Sequence, residues 1–579
     1  MARGDGELAY DGGVPVRFAP AAVIRTPRPG GGFILRSPAP APEPARAVGD
    51  WLVRWAREAP DRMFLAERVR QGWRRVTYGD ALAQVRGLAQ ALLDRGLSAT
   101  RPLAILSGNS IDHALLALAA MHVGVPVAPV SPAYSLASQD LAKLRSLVAA
   151  LAPGAVWAEG AAFARALDVL AVPRLDAHAA APTPAVERAF DAITPDTVAK
   201  ILFTSGSTGT PKGVVNTHRM LCANQAAIAA GWPFLADRPP VIVDWLPWSH
   251  TFGANHNFNM VLASGGTLYI DAGKPAPGAF DTTLANLREM PSTLYFNLPR
   301  GFDMLAGALE TDDALRETFF RDLDVMFYAA AALSPATWDR LAAVAQRARA
   351  KVAMVSAWGS TETSPLVTQV HFHIDRAGVI GLPAPGLELA FAPSGDKLEM
   401  RVRGPSVTPG YWLAGGGIEP APADELGFYP MGDAGRLADD AAPERGVVFD
   451  GRTAENFKLT SGTWVHVGEL RIALITACSP LVADAVITGH DRDEIGALVF
   501  VAPGQAVDRE ALAAGLARCN AARSASSTRI ARALVLAEPP SIDAGEITDK
   551  GYLNQRAVLA RRADQVAALY AGATDVIVV

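Results

Sequence analysis

The chain has 579 residues, 50% of them hydrophobic and 19% charged, with a net charge of -5. It is too long for one ordinary core, too apolar for a disordered chain, and lacks the positive charge that draws a protein to nucleic acid. Cys222, Cys478 and Cys519 lie far apart, which excludes a disulfide scaffold or a clustered zinc site and suits a reducing compartment.

The first residues, Met-Ala-Arg-Gly-Asp-Gly-Glu, contain no apolar run, so no secretory leader is expected and the protein reads as cytoplasmic. Residues 1–45 are rich in Pro, Gly and Ala and are expected to be irregular and partly docked. Val48, Trp51, Leu52 and Trp55 recur at helical spacing. Residues 77–93 read as a second helix, with Leu82, Val85, Ala89 and Leu92 on one face and Gly96 just past its end. A strand at 103–106, a helix at 111–122 and a strand at 125–130 make a βαβ unit, the signature of a parallel sheet. The most apolar stretch, 114–130, is interrupted by His122, Gly124, Pro126 and Pro129, so it reads as buried helix and strand and not as a membrane span. Strands at 156–158 and 201–203 flank a helix at 161–170. A helix at 218–230 and strands at 241–246, 268–270, 294–297 and 325–328 continue the alternation. Shorter strands at 398–402 and 447–449 suggest a small β-rich subdomain, and 415–422 reads as a loop. Beyond about residue 451, strands at 498–501 and 533–536 flank a helix at 509–518, and a terminal helix covers 555–570.

The expected fold class is therefore α/β. A large N-terminal domain at 46–451 has parallel-rich sheets flanked by helices, plus the small β-rich subdomain. A small, mobile α+β C-terminal domain follows at 452–579.

The stretch richest in chemistry is Ile201-Leu-Phe-Thr-Ser-Gly-Ser-Thr-Gly-Thr-Pro-Lys-Gly-Val-Val215. Gly206, Gly209 and Gly213 would let the backbone approach a ligand and take positive φ. Thr204, Ser205, Ser207, Thr208 and Thr210 supply hydroxyls, and Lys212 a positive charge. Many donors around small residues suit a polyphosphate. The spacing is not that of a Walker A loop. Further along stand Trp245-Leu-Pro-Trp-Ser-His-Thr-Phe-Gly253, Tyr328-Ala-Ala-Ala-Ala332, Ser356-Ala-Trp-Gly-Ser-Thr-Glu-Thr363, Tyr429-Pro-Met-Gly-Asp433, Asp450-Gly-Arg-Thr-Ala-Glu-Asn-Phe-Lys-Leu-Thr-Ser-Gly462 and Ile547-Thr-Asp-Lys-Gly-Tyr552. Taken singly each has a bland reading: a solvated Glu in a turn, a turn Asp, a core His, a surface Lys. His250 and His256 are not spaced i, i+4, so they do not read as a helical metal pair.

Together and in this order, the segments resemble the adenylate-forming (AMP-binding) superfamily, which holds acyl-CoA synthetases, luciferases and peptide-synthetase adenylation domains. The resemblance runs from about residue 75 to 560. It implies that the loop from Thr204 to Lys212 cradles the phosphates of ATP, that Thr361 bonds the α-phosphate and that Glu362 holds Mg²⁺. It also implies that Asp433 binds the ribose hydroxyls, Met431 standing where the family has Thr, and that Arg452 reaches ribose and phosphates. The hinge residue would be Ala454, where relatives have Asp or Lys. Lys458, Gly462 and Trp464 would lie on the loop that meets the pantetheine thiol of coenzyme A. Lys550 would be the catalytic lysine, His250 would line the acid pocket, and 328–332 would flank adenine and acid.

The implied activity is an ATP-dependent acid–thiol ligase that forms an acyl-CoA through an acyl-adenylate. Residues 244–253, 274–278, 356–359 and 548–552 resemble most the bacterial feruloyl-CoA synthases, which implies ferulate or a related hydroxycinnamate as the acid. A fatty or other aryl acid, a module loading a carrier protein, and a non-catalytic nucleotide-binding relative stay open beside it. So does a homodimer. The expected partners are the carboxylic acid, ATP and coenzyme A, with no nucleic acid and no membrane span.

Overall fold

The predicted βαβ unit forms around one almost fully buried helix. Ile111–His122 is buried at every position but Asp112, and it starts where the Ser110 hydroxyl accepts from the His113 N–H. It crosses between the parallel strands Leu103–Leu106 and Val127–Val130. The computed structural model describes residues 7–8, 16–205, 211–276, 278–331, 333–453, 455–502, 505–521, 523, 525–548 and 553–579.

Three sheets build the large N-terminal part. A seven-stranded sheet runs Gly417–Pro420, Gly410–Leu413, Pro211–Thr217, Val198–Ser205, Val127–Val130, Leu103–Leu106, Ala155–Ala158. A four-stranded sheet holds Val241–Asp244, Thr267–Ile270, Met63–Arg68 and Trp73–Thr77. An eleven-stranded sheet begins with Leu294–Asn297, Val325–Tyr328 and Ala353–Gly359, parallel to one another. It continues antiparallel through Leu366–Gln369, Val379–Pro383, Val447–Arg452, Tyr429–Leu437, Lys397–Arg403 and Glu388–Ser394, and ends on Phe33–Arg36 and Ile24–Pro27. The sheets are thus mixed, with parallel pairs where helices cross over and antiparallel pairs both at short turns and between strands distant in sequence. A smaller α+β part carries Val482–Thr488, Ile495–Val501, Ile530–Val535 and Val576–Val578 in one four-stranded sheet. Its apolar residues form clusters of their own around Leu474, Val499 and Leu516 and around Val486, Leu498 and Val558. No helix among the described residues is long and apolar enough to cross a membrane.

Three readings of the sequence are corrected. Residues 1–45 are not irregular throughout, because Ile24–Pro27 and Phe33–Arg36 form a hairpin that extends the large sheet at Glu388–Ser394. The turn needs Gly30, Gly31 and Gly32 at positive φ, and a Cβ on Gly32 would lie 1.9 Å from the Phe391 carbonyl oxygen. Pro and Gly here mark a turn between two paired strands. Residues 415–422 are not all loop, because Gly417–Pro420 pairs with Gly410–Leu413 as an exposed edge strand. The terminal helix breaks into Gln555–Arg561 and Ala563–Ala571 at Arg562, whose guanidinium turns inward to the buried Glu546.

Phe33 stacks on Phe391 with ring centroids 4.5 Å apart. Phe33→Ala should destabilise the large part by about 3 kcal/mol, read as a lowered thermal midpoint. An unchanged midpoint would show that the N-terminal hairpin adds nothing to the sheet.

Candidate active site

The glycine-rich stretch belongs to a hairpin. Val198–Ser205 and Pro211–Thr217 are antiparallel, with Thr204 opposite Lys212 and Ser205 opposite Pro211. Gly206, Ser207, Thr208, Gly209 and Thr210 lie outside the described residues. Gly213 does not have positive φ. It is a strand residue whose missing side chain makes room for Ile201 and Phe203, since a Cβ there would lie 2.9 Å from the Ile201 methyl. Thr204 is half-buried, and Lys212 is exposed with its Nζ 4.8 Å from the centre of the Tyr411 ring.

Strand Ala353–Gly359 ends on the short 3₁₀ turn Thr361–Thr363. The Ser360 hydroxyl accepts from the Glu362 N–H, and the Ser360 N–H donates to the Thr363 hydroxyl, which fixes the turn at both ends. Thr361 is buried and Glu362 half-buried. Thr408 ties this turn to the glycine-rich hairpin: its N–H donates to the Glu362 carbonyl at 2.8 Å and its hydroxyl to the Val215 carbonyl at 2.7 Å. Beside it, the Tyr411 and Tyr429 hydroxyls share a hydrogen bond of 3.0 Å. Burial raises both phenol pKa values, and the Glu362 charge raises them further, so both stay protonated. Lys212, Glu362, Tyr411 and Tyr429 thereby make one polar group from three distant stretches of sequence.

Asp433 and Arg452 face each other across the strands Tyr429–Leu437 and Val447–Arg452, with Nε 3.6 Å from Oδ1. Arg452 remains largely exposed, at 67%. The other Asp433 oxygen accepts from the Trp358 indole N–H at 2.9 Å. Burial raises the Asp433 pKa, against the pull of Arg452 and of the indole. Two residues before Trp358, the Ser356 hydroxyl donates to the Tyr328 carbonyl at 2.9 Å. The strand end after Tyr328 turns at Ala330, which has φ 72, a costly conformation for a residue with a Cβ. Ala332 lies outside the described residues.

His250 is buried and directly precedes a π-helix, Phe252–Phe258, that runs on into the α-helix Asn259–Ser264. A π-helix displaces its carbonyls from ordinary helical partners, and here side chains reach them. Lys200 Nζ donates to the Ala254 carbonyl and the Asn255 amide oxygen, each at 3.2 Å. Gln225 Nε2 donates to the carbonyls of Asn255 and His256 at 2.7 and 3.2 Å. Burial lowers the Lys200 pKa from 10.5 to about 7. Burial also holds His256 at about 4, so its ring is neutral, and it packs against Phe252, Phe296 and Phe327. The sequence reading missed Lys200, Trp358, Thr408 and Tyr411. A lysine in an apolar strand was a signal for the first. The others are ordinary residues whose partners are remote.

In the smaller part, Phe457–Lys458 and Trp464–Val465 form a two-stranded hairpin with Lys458 opposite Trp464. Lys458 Nζ sits 4.9 Å from the Trp464 ring centre, and Gly462 makes the turn at φ 79. Trp464 rests on Gly395, so this hairpin stands on the 394–397 turn of the large part. Ala454 and Lys550 lie outside the described residues. The segment that carries Lys550 is closed at its base by a bridge between Ile547 and Leu553.

Comparison with known proteins identifies the family of the chain. Residues 52–412 match the family described as AMP-binding enzyme, and residues 465–574 match the AMP-binding enzyme C-terminal domain. A feruloyl-CoA synthase from Amycolatopsis sp is 26% identical over 406 residues, 68% of this chain and 77% of that protein. A carboxylic acid reductase from Segniliparus rugosus is 28% identical over 417 residues, 65% of this chain, which spans 33% of the reductase's length. Among solved structures, the O-succinylbenzoate coenzyme A synthetase from Bacillus subtilis, in complex with ATP and magnesium ion, superposes with a TM-score of 0.68. At 17% identity over 87% of this chain and 98% of that one, the likeness is one of fold.

The buried lysine gives a pH test. Folded, Lys200 releases its proton near pH 7; unfolded, near its ordinary 10.5. Between those values the unfolded chain holds the extra proton, so this group makes stability rise with pH across the window. Lys200→Met should remove the rise. Thermal midpoints of both proteins across the window check it, and parallel curves would show that Lys200 is not the titrating group.

Proposed function

The chain belongs to the AMP-binding enzyme family, as an adenylate-forming acid–thiol ligase, and on that premise we propose that its acid is a hydroxycinnamate such as ferulate. The observation that carries the ligase site is the convergence of Lys212, Glu362, Tyr411 and Tyr429. A carboxylate attacking the α-phosphorus of ATP brings two anions together, and the product pair is acyl-adenylate and pyrophosphate. Lys212 and the hydroxyls from Thr204 to Thr210 meet the phosphates, and Thr361 donates to the α-phosphate. Asp433, held by Trp358, accepts from the ribose hydroxyls, and Arg452 beside it reaches ribose and phosphate. Lys550 approaches the reacting oxygens from the smaller part. His250 lines the acid pocket. In the second step the coenzyme A thiolate attacks the acyl carbon and AMP leaves with the bonding pair. Lys458, Gly462 and Trp464 guide the pantetheine arm to that carbon.

Magnesium fits Glu362. Among the described residues no three His, Cys, Asp or Glu side chains gather as a self-sufficient metal site. A magnesium ion that arrives on a triphosphate takes most of its oxygens from phosphate and water and needs only one or two protein carboxylates. When bound it neutralises phosphate charge. Glu362, half-buried beside two protonated phenols, is such a carboxylate.

The choice of acid is supported by the resemblance of residues 244–253 and 356–359 to feruloyl-CoA synthases and by the aromatic surroundings of the π-helix that follows His250, where Phe252, Phe296 and Phe327 meet.

Pyrophosphate release with MgATP, coenzyme A and single acids tests the reading. Turnover on ferulate, p-coumarate and caffeate, with little on octanoate or palmitate, is the expected result. Turnover confined to the fatty acids would replace the acid and keep the chemistry. ATP binding without release on any acid would favour a non-catalytic nucleotide-binding protein. Two variants test the roles. Lys550→Ala should depress adenylation far more than thioester formation from supplied acyl-adenylate, and equal losses would remove it from the first step. Trp358→Phe should weaken ATP binding by about tenfold or more, the worth of one hydrogen bond to a charged group. Unchanged ATP affinity would show that Asp433 needs no such support.

A further inference from the structure

The segment before Lys550 is fixed at two places. Glu546 is fully buried, and its carboxylate accepts from Arg562 Nε at 2.7 Å, Arg562 Nη2 at 3.0 Å, Arg561 Nη1 at 2.8 Å and the Ser541 N–H at 2.9 Å. Its carbonyl accepts from the Asn554 N–H at 2.8 Å, directly below the Ile547–Leu553 bridge. Ile547 and Leu553, which flank the segment that carries Lys550, are therefore tied to the terminal helices through Glu546. Three residues earlier, Asp543 leaves the smaller part altogether. Its Oδ1 accepts from the Ser138 hydroxyl at 2.6 Å, and its Oδ2 from the Gln139 N–H at 3.0 Å. Lys143 Nζ donates to the neighbouring Ile542 carbonyl at 2.5 Å.

The receiving turn is itself well held. Ser138 is buried, and its Oγ accepts from the Leu141 N–H. Arg165 donates to the carbonyls of Ser138 and Gln139. The turn leads into the helix Ala142–Leu151, whose Leu144, Leu147 and Leu151 pack in the apolar cluster under the seven-stranded sheet. A carboxylate that accepts from an O–H and an N–H, with two cations beside it, is a specific contact and exceeds what a surface ion pair provides.

We propose that Asp543, Ser138 and Lys143 form a latch that holds the base of the segment carrying Lys550, at Ile547 and Leu553, against the large part for acyl-adenylate formation and opens for thioester formation. The proposal rests on the two-step ligase reading. Asp543, Ser138 and Lys143 touch no reacting atom in it. They act through the hydrogen-bonded path from Asp543 to Glu546 to the Ile547–Leu553 bridge. Such a path matters because a small displacement of a catalytic group costs large factors in rate. The latch is made of hydrogen bonds that are exposed or only partly buried, so it can open and close during turnover.

The test separates the half-reactions. Asp543→Ala and Lys143→Met are assayed by acid-dependent ATP–pyrophosphate exchange and by thioester formation from supplied acyl-adenylate and coenzyme A. Asp543→Ala should slow exchange about tenfold, the loss of roughly one charge-assisted hydrogen bond, and leave thioester formation unchanged or faster. Ser138→Ala should add little on top of Asp543→Ala, because both remove the same contact. Equal losses in both half-reactions, or none in either, would overturn the latch. Amide hydrogen exchange decides the contact without turnover. Asp543→Ala should speed exchange at Gln139 and through 138–142 while the helix Gln555–Arg561 keeps its protection, and unchanged exchange at Gln139 would overturn the proposal. A wild-type protein that shows no pyrophosphate exchange with any acid would instead overturn the ligase reading.

Discussion

Thr408 holds the site together. Its hydroxyl bonds the hairpin that follows the glycine-rich stretch and its N–H bonds the turn that carries Thr361 and Glu362. A residue with one backbone partner on a strand of the seven-stranded sheet and another in the turn that follows the strand Ala353–Gly359 sets the spacing between them, and it does so from a buried position where each bond is shielded from water. Three residues on, the Tyr411–Tyr429 hydrogen bond makes a tie between the seven-stranded and eleven-stranded sheets. The positions of Lys212, Glu362 and Asp433 relative to one another follow from this seam. None of the three lies on the same supersecondary unit as another.

The same logic supports the π-helix after His250. Displaced helix carbonyls would each cost about 1 to 3 kcal/mol if buried without a donor. Lys200 and Gln225 supply the donors, so the irregular turn persists inside an apolar core. The cost appears elsewhere, as a buried lysine whose Nζ has no carboxylate partner among the described residues and whose pKa is about 7. Close approach is a second support. A Cβ on Gly253 would lie 2.3 Å from the Leu246 carbonyl oxygen, so glycine alone lets this turn pack under the Trp245-Leu-Pro-Trp248 segment.

Legibility differed by element. Helices such as Ile111–His122 and strands such as Leu294–Asn297 and Val325–Tyr328 were legible because periodicity and bounding turns are local properties. The N-terminal hairpin was not, because its strands are short and the partner that buries Phe33 lies at Phe391. Gly213 shows a subtler miss. Its place in a glycine-rich string suggested positive φ, whereas its role is to leave room for Ile201 and Phe203 on the facing strand. The residues proposed to bind nucleotide were legible as motif members, and their mutual distances were not. Lys458 and Trp464 were read as one loop, and they do share a hairpin, but its support on Gly395 depends on a turn far away in sequence.

By itself, the sequence determined the α/β class, the order of the elements and the family, because hydrophobic period and short motifs are written in consecutive residues. Only the tertiary structure decided which side chains support the motifs. Trp358 on Asp433, Thr408 between the Glu362 turn and the strand of Val215, Lys200 under the π-helix and Asp543 on Ser138 are all contacts between residues that neither period nor motif connects. The physical reason is that a buried polar group must find a partner wherever the packed chain brings one, and packing joins residues without regard to their separation along the sequence.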